Sequence, residues 1–263
     1  MSEDTGSGSG TNRIDIEEPA SGVRVIAFNR QDVRNAFDTA MYHEVTAALR
    51  AADADDAVGA VVLTGRGSAF TSGQDLAEMA AIAAGTAVEG AGQGFIGLLD
   101  SLTECTVPLL AAVNGVAVGL GFTLLAHCDL VLVAKDARLR VPFAELGVPA
   151  EAASSFLFPA AMGWQQAARI LLTSDWVGAE ELIALGLALR SCEPEVVLDE
   201  TVVLAARVAA HPHGATRAIT GLMRAARRDA VLEANRREQG AFARLLASAA
   251  QQGTLADFAP RNS

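Results

Sequence analysis

A chain of 263 residues with 51% hydrophobic and 19% charged side chains can build a sizeable core and lies far from the composition of a disordered protein. Its formal net charge of −11 opposes extended contact with a phosphate backbone, which needs clustered Lys and Arg, so nucleic acid is not an expected partner. Cys105, Cys128 and Cys192 form no CxxC pair and read as reduced core residues, and no spacing among the histidines, cysteines and acids suggests a metal site.

The first twelve residues, MSEDTGSGSGTN, read as a flexible tail without the apolar stretch of a secretory signal or the Arg-rich character of a transit peptide. GVRVIAF alternates like a half-buried strand, TAMYHEVTAALRAAD carries apolar residues at helical spacing, and VGAVVLTG is a β-branched strand ending in glycine. The alternation continues through QDLAEMAAIAA and FIGLLDSLTEC (helices), PLLAAVNG (strand), FTLLAHC (helix) and DLVLVA (strand), which predicts a layered α/β core. The Gly/Ala-rich residues 84–94 between the two helices are expected to form a mobile loop beside the site. After Pro159 the strand signals stop and five helical segments follow, from WQQAARILLT to VLEANRREQGAFARLLASAA. This tail is long for one core and is expected to pack partly on another subunit. The basic run RAARRDAVLEANRRE within it reads as a solvated helix face. The apolar runs at 109–118 and 130–134 are too short or too interrupted to span a bilayer. The expectation is a soluble cytoplasmic protein with no membrane contact.

Two glycine-containing turns, GRGSAFTSGQDL and NGVAVGLGFTLL, fall where a strand ends and a helix begins. The first backbone N–H groups of a helix have no partner inside it, so each junction presents donors to an anion or a developing oxyanion. Gly73 would expose the N–H of Gln74, and Gly119 with Gly121 would expose that of Leu120; on parallel strands the two could converge on one oxygen. GLGFTL lacks the third glycine of a dinucleotide fingerprint, where Leu124 stands, and close helix–strand packing is the plainer reading.

The segments AFTSGQDLAEM, PLLAAVNGVAVGLGFTLLAHCDLVLVA and SDWVGAEELIALGL resemble the enoyl-CoA hydratase/isomerase (crotonase) superfamily from about Arg24 to Phe258. The resemblance implies a spiral of ββα units at 13–200 followed by a helical trimerisation region at 201–263. It also implies an acyl-CoA thioester substrate, a homotrimer or hexamer, and no cofactor beyond the coenzyme A of the substrate itself. It places the oxyanion donors on the backbone of Gln74 and Leu120. Arg34 and Ala36 match the segment lining the CoA, with Arg30 or Arg66 as phosphate partners, and Ser72, Gly73, Asp75, Leu76 and Phe143 fall at substrate-lining positions. Asp75 also reads as an ordinary charge at a helix N-terminus.

Hydratases of this superfamily use two glutamates, because adding water needs one group to activate it and another to manage the second proton. Those positions hold Thr123 and Phe143 here, and neither is a base at neutral pH. Glu151, in LGVPAEAASSFLFPAAMG, sits where peroxisomal-type Δ3,Δ2-enoyl-CoA isomerases carry their single catalytic glutamate, although Ala152 replaces the glycine usual in that group. The resemblance therefore implies an isomerase that uses Glu151 alone, with a hydratase or another acyl-CoA reaction as the nearest alternative. A non-catalytic acyl-CoA-binding protein is the alternative of a different class. From local sequence alone Glu151 is equally a first-turn helix charge after Pro149. The apolar residues Phe143, Phe156 and Phe158 would raise its pKa and a helix N-terminus would lower it, an opposition that sequence leaves open. Glu145 reads as a surface carboxylate and His127 as a satisfied core histidine.

Overall fold

The strand and helix alternation resolves into two sheets rather than one. The computed structural model describes residues 12–86, 90 and 92–251. Six strands form the main sheet in the order β1 (Ile14–Ala20), β2 (Val23–Phe28), β3 (Ala60–Gly65), β5 (Leu109–Val113), β7 (Leu130–Ala134) and β10 (Arg190–Cys192). Four short strands, β4 (Ala69–Thr71), β6 (Val116–Val118), β8 (Arg138–Arg140) and β9 (Val177–Gly178), form the second. All neighbours are parallel except β1 with β2 and β8 with β9. Each of β3, β5 and β7 is followed at once by a short strand of the other sheet, so the chain winds as the expected α/β spiral of ββα units.

The helices are α1 (Thr39–Asp53), α2 (Leu76–Ala83), α3 (Gln93–Glu104), α4 (Leu120–Thr123) continued by a 3₁₀ turn (Leu124–His127), α5 (Phe143–Leu146), α6 (Ser154–Met162) and α7 (Trp164–Thr173). After these come α8 (Ala179–Ala184), α9 (Val197–Ala209), α10 (His213–Ala225) and α11 (Arg228–Gln251). Asp38 starts α1 by accepting the N–H of Met41 at 2.8 Å, which takes up one of the orphan donors of the first turn.

The main strands read as unbroken apolar runs because both faces of the sheet are covered. One face sends Ile26, Phe28, Val61, Leu63, Leu109 and Ala111 into the larger core. The alternate residues Val25, Ala27, Ala60, Val62, Leu110 and Ala112 meet Ala205 and Ala209 of α9. The boundary expected at residue 200 therefore falls inside a helix that belongs with the sheet. Gly22 and Gly59 allow this approach: an added methyl group would come within 3.2 Å of the Ala209 Cβ at Gly22 and within 2.9 Å of the Ala209 Cα at Gly59.

Three expectations are corrected. Strands do not end at Pro159, which lies inside α6; β9 and β10 follow, two and three residues long, too short to show a period. The basic run is not wholly a solvated face, because Arg224 is buried, pairs with Asp129 at 2.7 Å and donates to the Cys105 carbonyl, tying α10 to the sheet. Residues 93 and 94 of the expected loop belong to α3, and residues 87–89 and 91 lie outside the described residues, as do residues 1–11 of the expected tail.

Candidate active site

Two turns leave β4 and β6, neighbouring parallel strands of the small sheet, and this adjacency brings their ends together. The sequence reading assigned the turns to the long strands; the three-residue strands actually preceding them carry no periodicity to detect. After β4 the chain turns through Gly73 at φ +89°, a conformation that glycine adopts without steric cost. A methyl group at Gly73 would come within 2.6 Å of the Val118 carbonyl oxygen and 3.6 Å of the Leu120 nitrogen. Gln74 and Leu120 are thus side by side in space. Among the described residues no hydrogen bond takes up the N–H of either, whereas the flanking Asp75 N–H is bonded to the Phe37 carbonyl. Two outward donors at one place have the geometry that an oxyanion hole requires.

The first turn is held from behind. Thr71 Oγ1 donates to the Asn35 carbonyl at 2.6 Å and accepts the Gly73 N–H at 3.0 Å. Asn35, fully buried at φ +59°, donates to the carbonyls of Ala69 and Arg66 and accepts the Arg30 N–H. Asp75 caps α2 through the N–H groups of Ala77 and Glu78, which is its ordinary reading.

The second turn uses Gly119 at φ +54° and ψ −116°. A methyl group there would lie 3.9 Å from Glu151 Oε1, so the carboxylate stands directly against the second donor turn. Gly121 packs so closely on β4 that an added methyl would meet Thr71 at 2.8 Å, the close-packing role expected of GLGFTL.

Glu151 does not sit in the first turn of a helix. It precedes α6, and two residues in the left-handed region, Ala152 at φ +55° and Ala153 at φ +56°, separate it from Ser154. The residue is only partly covered, yet burial of its carboxyl pushes the pKa up to about 8, and the charge of Glu238 on α11 adds to the rise. The apolar surroundings win over any helix dipole. Glu238 accepts the N–H of Ala153 at 2.7 Å and of Ser155 at 2.9 Å. His127, satisfied in the core as expected, lies with Nε2 2.9 Å from the Ala152 carbonyl oxygen, and burial lowers its pKa to about 4.

The structure thus sets a glutamate beside two outward backbone N–H groups on a two-sheet spiral. The family model described as enoyl-CoA hydratase/isomerase matches residues 18–262. The chain belongs to the enoyl-CoA hydratase/isomerase (crotonase) family. It is 38% identical over 178 residues to a probable enoyl-CoA hydratase of Rhodobacter capsulatus, covering 67% of this chain and 66% of that protein. It is 39% identical over 170 residues to the human enoyl-CoA delta isomerase 2, covering 63% of this chain and 43% of the human one. The matched region thus spans less than two thirds of the length of either curated relative. The solved enoyl-CoA hydratase/isomerase of Pseudoalteromonas atlantica superposes with a TM-score of 0.88 at 32% identity, covering 96% of this chain and 98% of the other.

Within that family frame, the two positions that carry hydratase glutamates are apolar or inert here. Thr123 is fully buried and its hydroxyl turns back toward the Gly119 and Leu120 carbonyls; Phe143 is buried at the start of α5. Glu145 pairs with Arg140 at 2.6 Å with its side chain half exposed, away from the role of base. Among the residues matched to CoA binding, Arg34 is exposed and its carbonyl accepts the Ser72 N–H at 2.9 Å, so the 34–36 segment is stitched to the oxyanion turn; Ala36 is buried and Leu76 partly so. Arg30 is paired with Asp38 and Asp75, and Arg66 with Asp15 and Glu17. Among the described residues no cluster of three His, Cys, Asp or Glu side chains could hold a metal ion, and no helix is long and apolar enough to cross a membrane. A cleft of about 400 Å³ between Leu125, Phe156, Leu187 and Arg227 contains neither oxyanion turn nor Glu151.

Asn35, Thr71 and Glu238 were missed from sequence. For Glu238 a signal existed: Val231, Ala234, Asn235 and Glu238 share one helical face and all are buried. The many neighbouring charges hid it.

Proposed function

We propose that the protein moves the double bond of a 3-enoyl-CoA to the 2-position, with Glu151 as the sole proton carrier. The observation that carries this reading is the desolvated Glu151 carboxylate beside two backbone donors, with Thr123 and Phe143 where a hydratase needs its glutamates. The ionised Glu151 removes a proton from C2; the C–H electron pair forms a C1=C2 bond as the carbonyl π pair moves onto the thioester oxygen, giving a dienolate conjugated with C3=C4, and the N–H groups of Gln74 and Leu120 stabilise that charge. The protonated Glu151 then delivers the same proton to C4 as the dienolate collapses to the 2-enoyl thioester. Atoms and charge balance without a second acid or base, metal or redox group. A carboxyl near pKa 8 suits both halves, since a group that must take and return a proton works best with its pKa near the operating pH.

Arg34 and Ala36 are proposed to line the CoA, with Ser72, Gly73, Asp75, Leu76 and Phe143 around the thioester and acyl chain. Exposed apolar residues on α10, Ile219, Leu222 and Met223, support the expected homotrimer or hexamer. The test is turnover of 3-hexenoyl-CoA beside hydration of crotonyl-CoA by the same preparation. Isomerisation well above hydration supports the reading; dominant hydration overturns it, and binding of both with turnover of neither leaves the non-catalytic acyl-CoA-binding protein.

A further inference from the structure

The backbone that carries Glu151 should not be stable by itself. Ala152 and Ala153 both lie in the left-handed region, where a Cβ crowds the following carbonyl oxygen. Strained backbone of this kind persists only where its surroundings over-determine it. Here they do so from two distant parts of the chain. Glu238 reaches in from α11, 85 residues after Ala153, and spends both carboxylate oxygens on backbone donors, Oε2 on Ala153 and Oε1 on Ser155. His127, from the 3₁₀ turn after α4, faces the Ala152 carbonyl; a carbonyl only accepts, so Nε2 carries the proton and donates. The 152–153 peptide unit is thereby held at both its carbonyl and its N–H, and the 154–155 unit at its N–H.

We propose that Glu238 and His127 are positioning residues that clamp the Ala152–Ala153 turn in place of glycine and so aim the Glu151 carboxylate at the gap beside Gly119. The inference rests on Glu151 being the base. A carboxylate is required at position 238, because a glutamine would turn its NH2 group toward one of the two N–H donors. As an anion it also makes ionisation of Glu151 harder. The other charged or titratable groups around the clamp are Tyr42 of α1, which is electrostatically coupled to Glu151 and to Glu78 of α2, Arg237 beside Glu238, and Arg224 and Arg227 beside His127. None of these takes over the two N–H groups that Glu238 holds.

The experiment compares wild type, Glu238→Gln, and Glu238→Gln combined with Ala152→Gly and Ala153→Gly. It reads kcat and KM on 3-hexenoyl-CoA and, without turnover, the titration of the Glu151 carboxyl by carbon-13 NMR, assigned by its loss in Glu151→Gln. Misaiming a catalytic group by about 1 Å can cost about 100-fold, so Glu238→Gln should lower kcat about 10- to 100-fold with KM unchanged. The two glycines should return most of that kcat, because they adopt the turn unaided. The carboxyl midpoint should fall in both variants, because the neighbouring charge is gone in both. His127→Phe, which removes only the donor to Ala152, is a milder second variant expected to lose kcat and to be rescued by the same glycines. Wild-type kcat and midpoint in folded Glu238→Gln, or no rescue by glycine in a folded triple variant, would overturn the clamp. Failure of the wild type to isomerise would instead sink the proposed reaction, while the midpoint shift would still test that the Glu238 charge sits beside Glu151.

Discussion

The turn at Gly73 and the turn after Glu151 both place backbone in the left-handed region, but they do it by different means. At Gly73 the conformation is written into the residue, and only a hydrogen atom fits against the Val118 carbonyl. After Glu151 two alanines take the same region, and side chains from the 3₁₀ turn and from α11 hold them there. Asn35 and Thr71 brace a turn that its glycine adopts unaided, whereas the alanine turn has only tertiary contacts to hold it, and on the proposed reading the aim of Glu151 depends on them.

Four perturbations break or sharpen that contrast. Gly73→Ala attacks the local turn: the methyl would strike the Val118 oxygen and displace the Gln74 N–H, and losing one oxyanion donor costs about 3–4 kcal/mol, about 100- to 1000-fold in kcat. Steady-state kinetics on a variant that melts cooperatively checks it. Asn35→Ala removes the staple behind that turn; orphaning the carbonyls of Arg66 and Ala69 should lower stability by about 2–4 kcal/mol, read from urea unfolding. Glu151→Gln acts on stability in the opposite direction. The folded carboxyl titrates near 8 and the unfolded one near 4.5, so the folded state holds the extra proton between those values and the wild type loses stability as pH rises through that window. The variant, which cannot ionise, should therefore melt higher than wild type, with a larger gain at pH 8 than at pH 5. Ala152→Gly is the gentlest: relief of the left-handed strain is offset by the greater entropy of an unfolded glycine, so stability should move by less than about 1 kcal/mol.

The same contrast separates what was legible in the sequence from what was not. The span of α1 was read to the residue, and β2, β3 and β7 within two, because each carries its own period or apolar run. The donors Gln74 and Leu120 were legible because glycine marks a backbone that must turn. The small sheet was not: β4, β6, β8 and β9 are two or three residues long and owe their pairing to neighbours. Glu151 was legible as a candidate through its resemblance to the isomerases, but its pKa was not, since the burial and the Glu238 charge that raise it come from residues distant in sequence. The carboxylate partners of Arg30 and Arg66 were not legible for a similar reason. A charged side chain shows its sign in the sequence but not its partner, and both are paired with carboxylates from other elements.

The central claim is that one carboxylate does all the proton chemistry. Its most direct test is the rate of 3-hexenoyl-CoA isomerisation by wild type and Glu151→Gln at pH 8, with crotonyl-CoA hydration measured in parallel. General acid–base groups contribute about 100- to 10,000-fold, and a residue serving both transfers should fall at the upper end. The account predicts that isomerisation in the variant drops by about 10,000-fold while the oxyanion hole still binds the thioester. Isomerisation that survives the substitution within about tenfold would contradict it and place the proton transfers on another group.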